Sequence, residues 1–210
     1  MFFLVFEGLD GSGKSSLMKR LETHLNALKK TPVITREPGG TPLGDQLRNL
    51  ILQKSENAPT PKTELLMYQA SRAQHVDLVI RPALKLKKWV LCDRFSASSV
   101  AFQGGGRDIL LQHVEWLNSF STENLIPDLT ILLDLSVEES KKRRTGRSDQ
   151  TGEHEDRIES EATAFHERVR TGFLNQAAAS PENWLVLNAA KTPDELFIEL
   201  LAELTVRQWL

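Results

Sequence analysis

Gly8-Leu9-Asp10-Gly11-Ser12-Gly13-Lys14-Ser15 follows directly on an apolar run from Phe2 to Phe6, and together they make the pattern of a phosphate-binding loop. Glycines in such a turn leave backbone N–H groups bare, and a helix that opens at Lys14 and Ser15 turns its positive end toward an anion. Lys14 would then reach the β- and γ-phosphates of a nucleotide, and the Ser15 hydroxyl would hold Mg²⁺. An ordinary glycine turn before a surface helix is the plain alternative, and the strand-then-helix context weighs against it.

Other charged groups follow apolar runs in the same way. Asp93-Arg94 closes the run Trp89 to Cys92. Asp93 can orient a Mg²⁺ water or a group of the loop, whereas Arg94 offers a planar fork matched to paired phosphate oxygens. A structural ion pair at a strand end would account for the same two residues. Thr35-Arg36-Glu37-Pro38-Gly39-Gly40 ends another run. Parallel sheets bind ligands beyond the carboxyl ends of their strands, which would aim Arg36 and Glu37 into a cleft, with the Glu37-Pro38 turn, cis or trans, setting their direction. A surface turn is the bland reading. Arg72 stands four residues after Tyr68, so on a helix both share a face. Ring and guanidinium side by side suit a flat base with carbonyl oxygens, and equally a core edge beside a solvated charge. His24, His75, His113, His154 and His166 are dispersed without zinc spacing and are expected at the surface or core edge.

The elements that must position these groups alternate in the order of a parallel sheet wrapped by helices. Strands are expected at Phe2–Phe6, Pro32–Thr35, Trp89–Cys92, Leu129–Leu135 and Trp184–Leu187. Helices are expected at Lys14–Lys30, Pro42–Gln53, Lys62–Leu86, Asp108–Phe120, Val137–Arg144, Glu155–Ala178 and Pro193–Trp209. Pro82 should kink or divide the third. The polar stretch Gly146–Glu155 has the composition of a mobile loop, and Thr192 before Pro193 that of a helix cap. Trp116, Phe120, Trp184, Phe197 and Trp209 are expected to pack helices.

With 210 residues the chain fits one domain, and 40% hydrophobic against 26% charged residues is the balance of an ordinary globule. A net charge of −2 gives no reason to expect nucleic-acid or membrane binding. The single Cys92 excludes an intramolecular disulfide, is expected in the core, and fits reducing cytosol. The opening apolar run is too short to span a bilayer and has no basic leader, so no signal peptide is expected. A late Asn-Lys-x-Asp element of guanine switches is absent, and the third strand ends in Asp93-Arg94 rather than the acidic pair of motor ATPases.

The chain resembles the bacterial thymidylate kinases. The resemblance rests on Glu7–Ser15, Thr35–Thr41, Arg72, Asp93-Arg94-Phe95, Ser98, Ala101–Arg107, Pro127–Thr130 and Asp156–Glu159, which occur in order over nearly the whole length. It implies an α/β fold of the P-loop NTPase type, a five-stranded parallel sheet between helices, in one kinase domain over 1–210 with a lid near 144–157. It also implies transfer of the γ-phosphoryl group of ATP to thymidine monophosphate with Mg²⁺, in a cytoplasmic homodimer that binds neither nucleic acid nor membrane. A kinase of another nucleoside monophosphate is the alternative, and a non-enzymatic ATP switch a more distant one.

Carried over by position, Gly8, Leu9, Asp10, Gly11, Ser12, Gly13, Lys14 and Ser15 would bind ATP, with Arg143 beside the adenine and Asn188–Thr192 on the adenine side. Ser15 and Asp93 would serve the metal. Arg94 would grip the acceptor phosphate, with Arg36, Glu37 and Pro38 lining that pocket and Asp10 near the sugar 3′-hydroxyl or the metal. Tyr68, where the family commonly has phenylalanine, would lie on the thymine, and Arg72 would bond the base edge. Ser98, Phe102 and Gln103 would complete the pocket, Phe102 replacing a frequent tyrosine. Lys14, Arg94, Asp10 and a lid arginine would carry catalysis. Gly11 stands where another class of these kinases has its arginine, so the cation is expected from Lys141–Arg147, with Arg147 first and Arg144 second. The segment Ser148–Glu155 is longer than the usual lid. The Lys62–Leu86 helix surface is the expected dimer face.

Overall fold

Phe3, Leu4, Val5, Phe6 and Glu7 are all buried and form β1 (Phe3–Glu7), the middle strand of a parallel sheet. A strand covered on both faces has to be apolar throughout, which is why no alternation shows in this run. The structure, a computed structural model, describes residues 1–151 and 155–210, the side chains of 147–151 excepted. Around β1 stand β2 (Val33–Arg36), β3 (Val90–Asp93), β4 (Leu129–Asp134) and β5 (Trp184–Asn188) in the order β2-β3-β1-β4-β5. All pairings are parallel, with Val5 beside Cys92 on one side and Thr130 on the other. The strand order reverses between β1 and β3, so the segments after these strands flank a crevice.

Leu4 and Phe6 pack with Leu17, Leu21 and Leu25 of α1 (Lys14–Ala27) and with Leu196, Leu200 and Leu204 of α9 (Pro193–Val206). Phe3 and Val5 face the other way, onto Val76, Ile80, Ala83 and Phe95, with Cys92 in this core as expected. A third cluster joins Leu9, Phe102, Val137 and Ile158 to Phe165, Val169 and Phe173 of α8 (Thr163–Ala179). Caps set several helix starts: Thr41 accepts from Gly44 N at 3.0 Å before α2 (Pro42–Leu52), and Thr192 and Glu195 form a reciprocal capping box before α9.

The expected strands stand to within a residue at each end. Helices differ more. The Lys62–Leu86 stretch is α3 (Pro61–His75), a π-helical turn over Val76–Ile80, and α4 (Arg81–Lys85), so the wider turn accommodates Pro82 without ending the helical path. Ser96–Gly106, for which no element was expected, is helical: α5 (Ser96–Ser99) and a π-helical run from Val100 to Gly106. Three glycines disfavour a helix, but Arg168 of α8 donates to Gly105 O at 3.1 Å and Gly106 O at 2.7 Å and holds it.

The loop expected at Gly146–Glu155 is helical in its first part, because α7 (Val137–Thr151) runs beyond Arg144. The next helix starts at Thr163 rather than Glu155, since Asp156 accepts the Ile158 and Glu159 N–H groups at 2.8 Å and makes a turn. Trp116 and Phe120 of α6 (Leu111–Thr122) are 65% and 72% exposed and stack on each other instead of packing between helices. The buried face of α6 carries Val114, Asn118, Ser121 and Thr122, so its aromatic side points out. Trp209 does pack, stacked on Phe2, while Trp184 and Phe197 lie against core clusters.

Candidate active site

The loop after β1 turns on Gly8, whose φ of +133° and close approach to the chain exclude a side chain: a Cβ there would lie 2.5 Å from Leu133 O. Lys14 is buried and its ammonium donates to Gly8 O at 3.1 Å and Leu9 O at 3.0 Å, with Asp10 at 3.9 Å. Ser15 Oγ donates to Asp93 Oδ2 at 3.2 Å. Behind the loop, Ser140 of α7 donates to Asp10 O at 2.7 Å. The sequence therefore brings Lys14, Ser15 and Asp93 together as expected. They line a cleft of about 360 Å³ with Asp10, Arg36, Arg94 and Arg143.

Arg94 follows β3 in the left-handed region, φ 70°, an uncommon conformation for a bulky side chain and one that turns it back over the loop. It donates to Asp10 Oδ1 at 2.9 Å and Ser98 Oγ at 3.3 Å, and lies 4.9 Å from the Phe102 ring centroid. Burial opposes charge on Asp10, yet Arg94 and Lys14 outweigh it and hold the carboxyl well below the usual carboxylate range. Burial, then the Arg94 charge, lowers the Lys14 ammonium. Arg94 itself, desolvated but faced by Asp10, Glu7 and Asp93, is held above its ordinary value. Lys14 is partnered by loop carbonyls and Asp10, and Arg94 by Asp10, Ser98 and the buried Glu7 at 3.7 Å.

A second cavity opens on the other side of Arg94, lined by Pro38, Tyr68, Arg72, Ser98, Phe102 and Gln103, with Asp10, Glu37 and Arg48. Tyr68 and Arg72 thus share a face of α3, as their spacing implied. The Tyr68 hydroxyl has no hydrogen-bond partner among the described residues, and burial raises its pKa, which keeps the proton on the phenol. Arg72 is 1% exposed. Its Nε donates to Glu37 Oε2 at 2.7 Å, Nη1 to Gln69, Ser99 and Asn118 at 3.1, 2.9 and 2.8 Å, and Nη2 to Phe95 O at 3.0 Å. A guanidinium has five N–H donors, so one on Nη2 has no partner among the described residues. Gln103 donates to Glu64, which also pairs with Arg107 and Arg157.

Glu37 and Arg36 diverge. Glu37 is buried with its carboxylate toward Arg72 and His75, whereas Arg36 is exposed at the cleft mouth 3.6 Å from Asp45, and it does not line the second cavity. The Glu37-Pro38 peptide is cis. Arg143 borders the phosphate cleft and also a pocket with Ala189, Lys191 and Pro193. Arg144 is buried and donates to Ser140, Glu155 and Glu159 O, which ties it to the fold beneath the loop rather than leaving it free to swing. Arg147 falls within α7 but its side chain lies outside what the structure describes, and His154 lies outside the described residues altogether.

Glu7 and Arg48 were not singled out from the sequence. Glu7 is fully buried, accepts from Phe95 N at 2.9 Å and Ser98 Oγ at 2.7 Å, and is raised in pKa because desolvation outweighs Arg94 and these bonds. It stood in the matched motif Glu7–Ser15 without a role, and a carboxylate closing an otherwise apolar strand was its physical signal. Arg48 donates to Pro38 O at 3.2 Å and borders both cavities. Its place on the helix that follows the Pro-Gly-Gly turn could have marked it. His75 and His166 are buried, contrary to the expectation for the histidines. Both belong to inward helix faces, and His75 bonds on each ring nitrogen.

No group of three or more His, Cys, Asp or Glu among the described residues could enclose a metal. The Ser15–Asp93 pair on the cleft wall does fit Mg²⁺, which keeps waters and takes few protein ligands beside phosphate oxygens. No helix among the described residues is long and apolar enough to cross a membrane.

A family model described as thymidylate kinase matches residues 6–199. A thymidylate kinase of Bdellovibrio bacteriovorus is 62% identical over 208 residues, covering 99% of this chain and 97% of the relative. Those of Geotalea uraniireducens and Geobacter sp. (strain M21) are 41% and 45% identical, covering 98% and 90% of this chain and 97% and 84% of the relatives.

Proposed function

The chain belongs to the thymidylate kinase family and transfers the γ-phosphoryl group of ATP to thymidine 5′-monophosphate, and we propose that its two cavities divide that work, one for each nucleotide. The supporting observation is their common wall: Asp10, Glu37, Arg48 and Arg94 border both, so two phosphates can meet there. The loop Gly8–Ser15 wraps the ATP phosphates with backbone N–H groups, Lys14 leaves its carbonyls for the β- and γ-oxygens, and Arg143 flanks the adenine with the 188–192 turn. Ser15 and Asp93 hold Mg²⁺, which when bound offsets charge on the phosphates. Arg94 takes the acceptor phosphate, with Arg36 and Glu37 around it, and Asp10 stands near the sugar or the metal. Tyr68 lies on the thymine, the free Nη2–H of Arg72 meets a base carbonyl, and Pro38, Ser98, Phe102 and Gln103 close the pocket.

Arg147 supplies the lid cation, within one kinase domain over 1–210 whose lid spans about 144–157. Charge spreads over equatorial oxygens during transfer, so positioned cations are what this site has to contribute. The protein works in the cytoplasm as a homodimer. Exposed Leu66 and Leu78 on the Pro61–Lys85 stretch support that face, and sedimentation of Leu66→Glu as a monomer would test it.

ADP release from Mg·ATP with each nucleoside monophosphate in turn tests the acceptor. Stimulation by thymidine monophosphate with diphosphate as product is expected. Stimulation by another monophosphate alone would overturn the Tyr68 and Arg72 roles, and stimulation by none would point to a switch. Wild-type turnover in Arg147→Ala would remove that residue from the mechanism.

A further inference from the structure

We propose that His75 is a positioning residue for base recognition, acting through Glu37 on Arg72. The inference rests on the reading above, in which the free Nη2–H of Arg72 meets the base.

The imidazole is fully buried between two acceptor-bearing side chains. Nδ1 stands 2.9 Å from Glu37 Oε1 and Nε2 stands 2.6 Å from Thr35 Oγ1. A carboxylate accepts, so Nδ1 carries a hydrogen, and in the neutral imidazole Nε2 then accepts from the threonine hydroxyl. Glu37 Oε2 accepts from Arg72 Nε at 2.7 Å. Both carboxylate oxygens are therefore held by side chains of α3. With its plane pinned at both ends, Glu37 fixes the plane of the Arg72 fork, and so the direction of the one N–H without a partner among the described residues.

The turn closes over the imidazole side of this relay. Ser71 accepts from Gly39 N at 3.1 Å, so consecutive residues of α3 grip the turn beside the relay. Gly40 has φ +76°, and a Cβ there would lie 2.7 Å from Thr35 Oγ1 and 2.8 Å from the His75 ring. Only glycine lets the chain close over the imidazole. The second glycine of the Pro38-Gly39-Gly40 motif thus serves the histidine rather than a phosphate.

The test compares His75→Ala, His75→Asn and Thr35→Val in the full chain, reading kcat, KM for thymidine monophosphate and for ATP, and the preference for thymidine over deoxycytidine monophosphate. Cytosine carries an amino group where thymine has a carbonyl, so that preference reports on the Arg72 direction. In His75→Ala the acceptor KM is expected to rise about tenfold and the preference to shrink about tenfold, with kcat and ATP KM within about twofold. Asparagine keeps an amide N–H for Glu37 and should recover most of the loss, and Thr35→Val should shift both readouts less, in the same direction. The preference for thymidine over deoxyuridine monophosphate, which differ by a methyl group, should stay unchanged. Unaltered base preference in a folded His75→Ala, or equal losses in kcat and ATP KM, would overturn the inference. If His75→Ala does not fold, unaltered preference in both other variants does so. A wild-type enzyme that takes thymine and cytosine alike would defeat the Arg72 reading and this inference with it, whereas wild-type preference unchanged in the variants defeats only the role of His75.

Discussion

The glycine-rich loop after β1 and the cavity lined by Tyr68 and Arg72 lie on either side of Arg94 and are made by opposite means. Residues 8–15 are contiguous, and their working parts are backbone N–H groups, one lysine and one hydroxyl. Arg72, in contrast, is held by Glu37, Gln69, Phe95, Ser99 and Asn118, drawn from four separate stretches of chain. Phosphates are alike in all nucleotides, so a local backbone cradle suffices for them. A base is told from other bases by the direction of a few side-chain donors, and direction has to be imposed from several sides.

If that contrast holds, the largest effect is Lys14→Ala. Its kcat is expected to fall about a thousandfold with little change in acceptor KM, because the lost charge matters most as the phosphoryl group moves. Steady-state kinetics with both substrates varied would check it. Arg94→Ala sharpens the boundary between the two sides. The acceptor KM should rise by about two orders of magnitude while ATP binding changes far less, since a buried charge pair to phosphate is lost. Equal damage to both substrates would mean that Arg94 belongs to the loop as much as to the cavity.

Asn118→Ala probes the network without touching the loop. Asn118 accepts from Arg72 and Gln69 at 2.8 Å each and donates to Ser96 O at 3.1 Å, so about 1–3 kcal/mol of stability should go, with a several-fold rise in acceptor KM. Denaturant unfolding and the acceptor KM are the readouts. The smallest effect is one of pH. Asp10 is held below its ordinary 3.8, so its ionised form stabilises the fold above about pH 4 and that contribution is withdrawn as pH falls through the folded value. Asp10→Asn should therefore melt below wild type at neutral pH, with the gap starting to narrow below about pH 4, a trend that thermal scans would show.

The same contrast explains what could be read from the chain. Leu4 and Val5 sit in an unbroken apolar run, and the loop letters after it are local, so strand, loop and the pairing of Lys14 with Ser15 were legible. Tyr68 and Arg72 were placed on one face by helical spacing alone. Trp116 and Phe120 were misjudged because α6 buries Asn118 and Ser121 instead, a choice set by the distant Arg72. The helix over Ser96–Gly106 escaped notice because α8, not local propensity, maintains it.

By itself, then, the sequence determined the order of strands and helices, the phosphate loop and the family, because periodicity, glycine placement and short motifs act within a turn or two of the chain. Only the tertiary structure decided that Glu37 faces Arg72 and His75 while its neighbour Arg36 faces solvent, that Arg144 is held and Arg143 borders the cleft, and that Glu7 and Arg48 belong to the site. These depend on which side chains meet across the strand crossovers, and a hydrogen bond between residues 37 and 75 leaves no periodic trace in the chain.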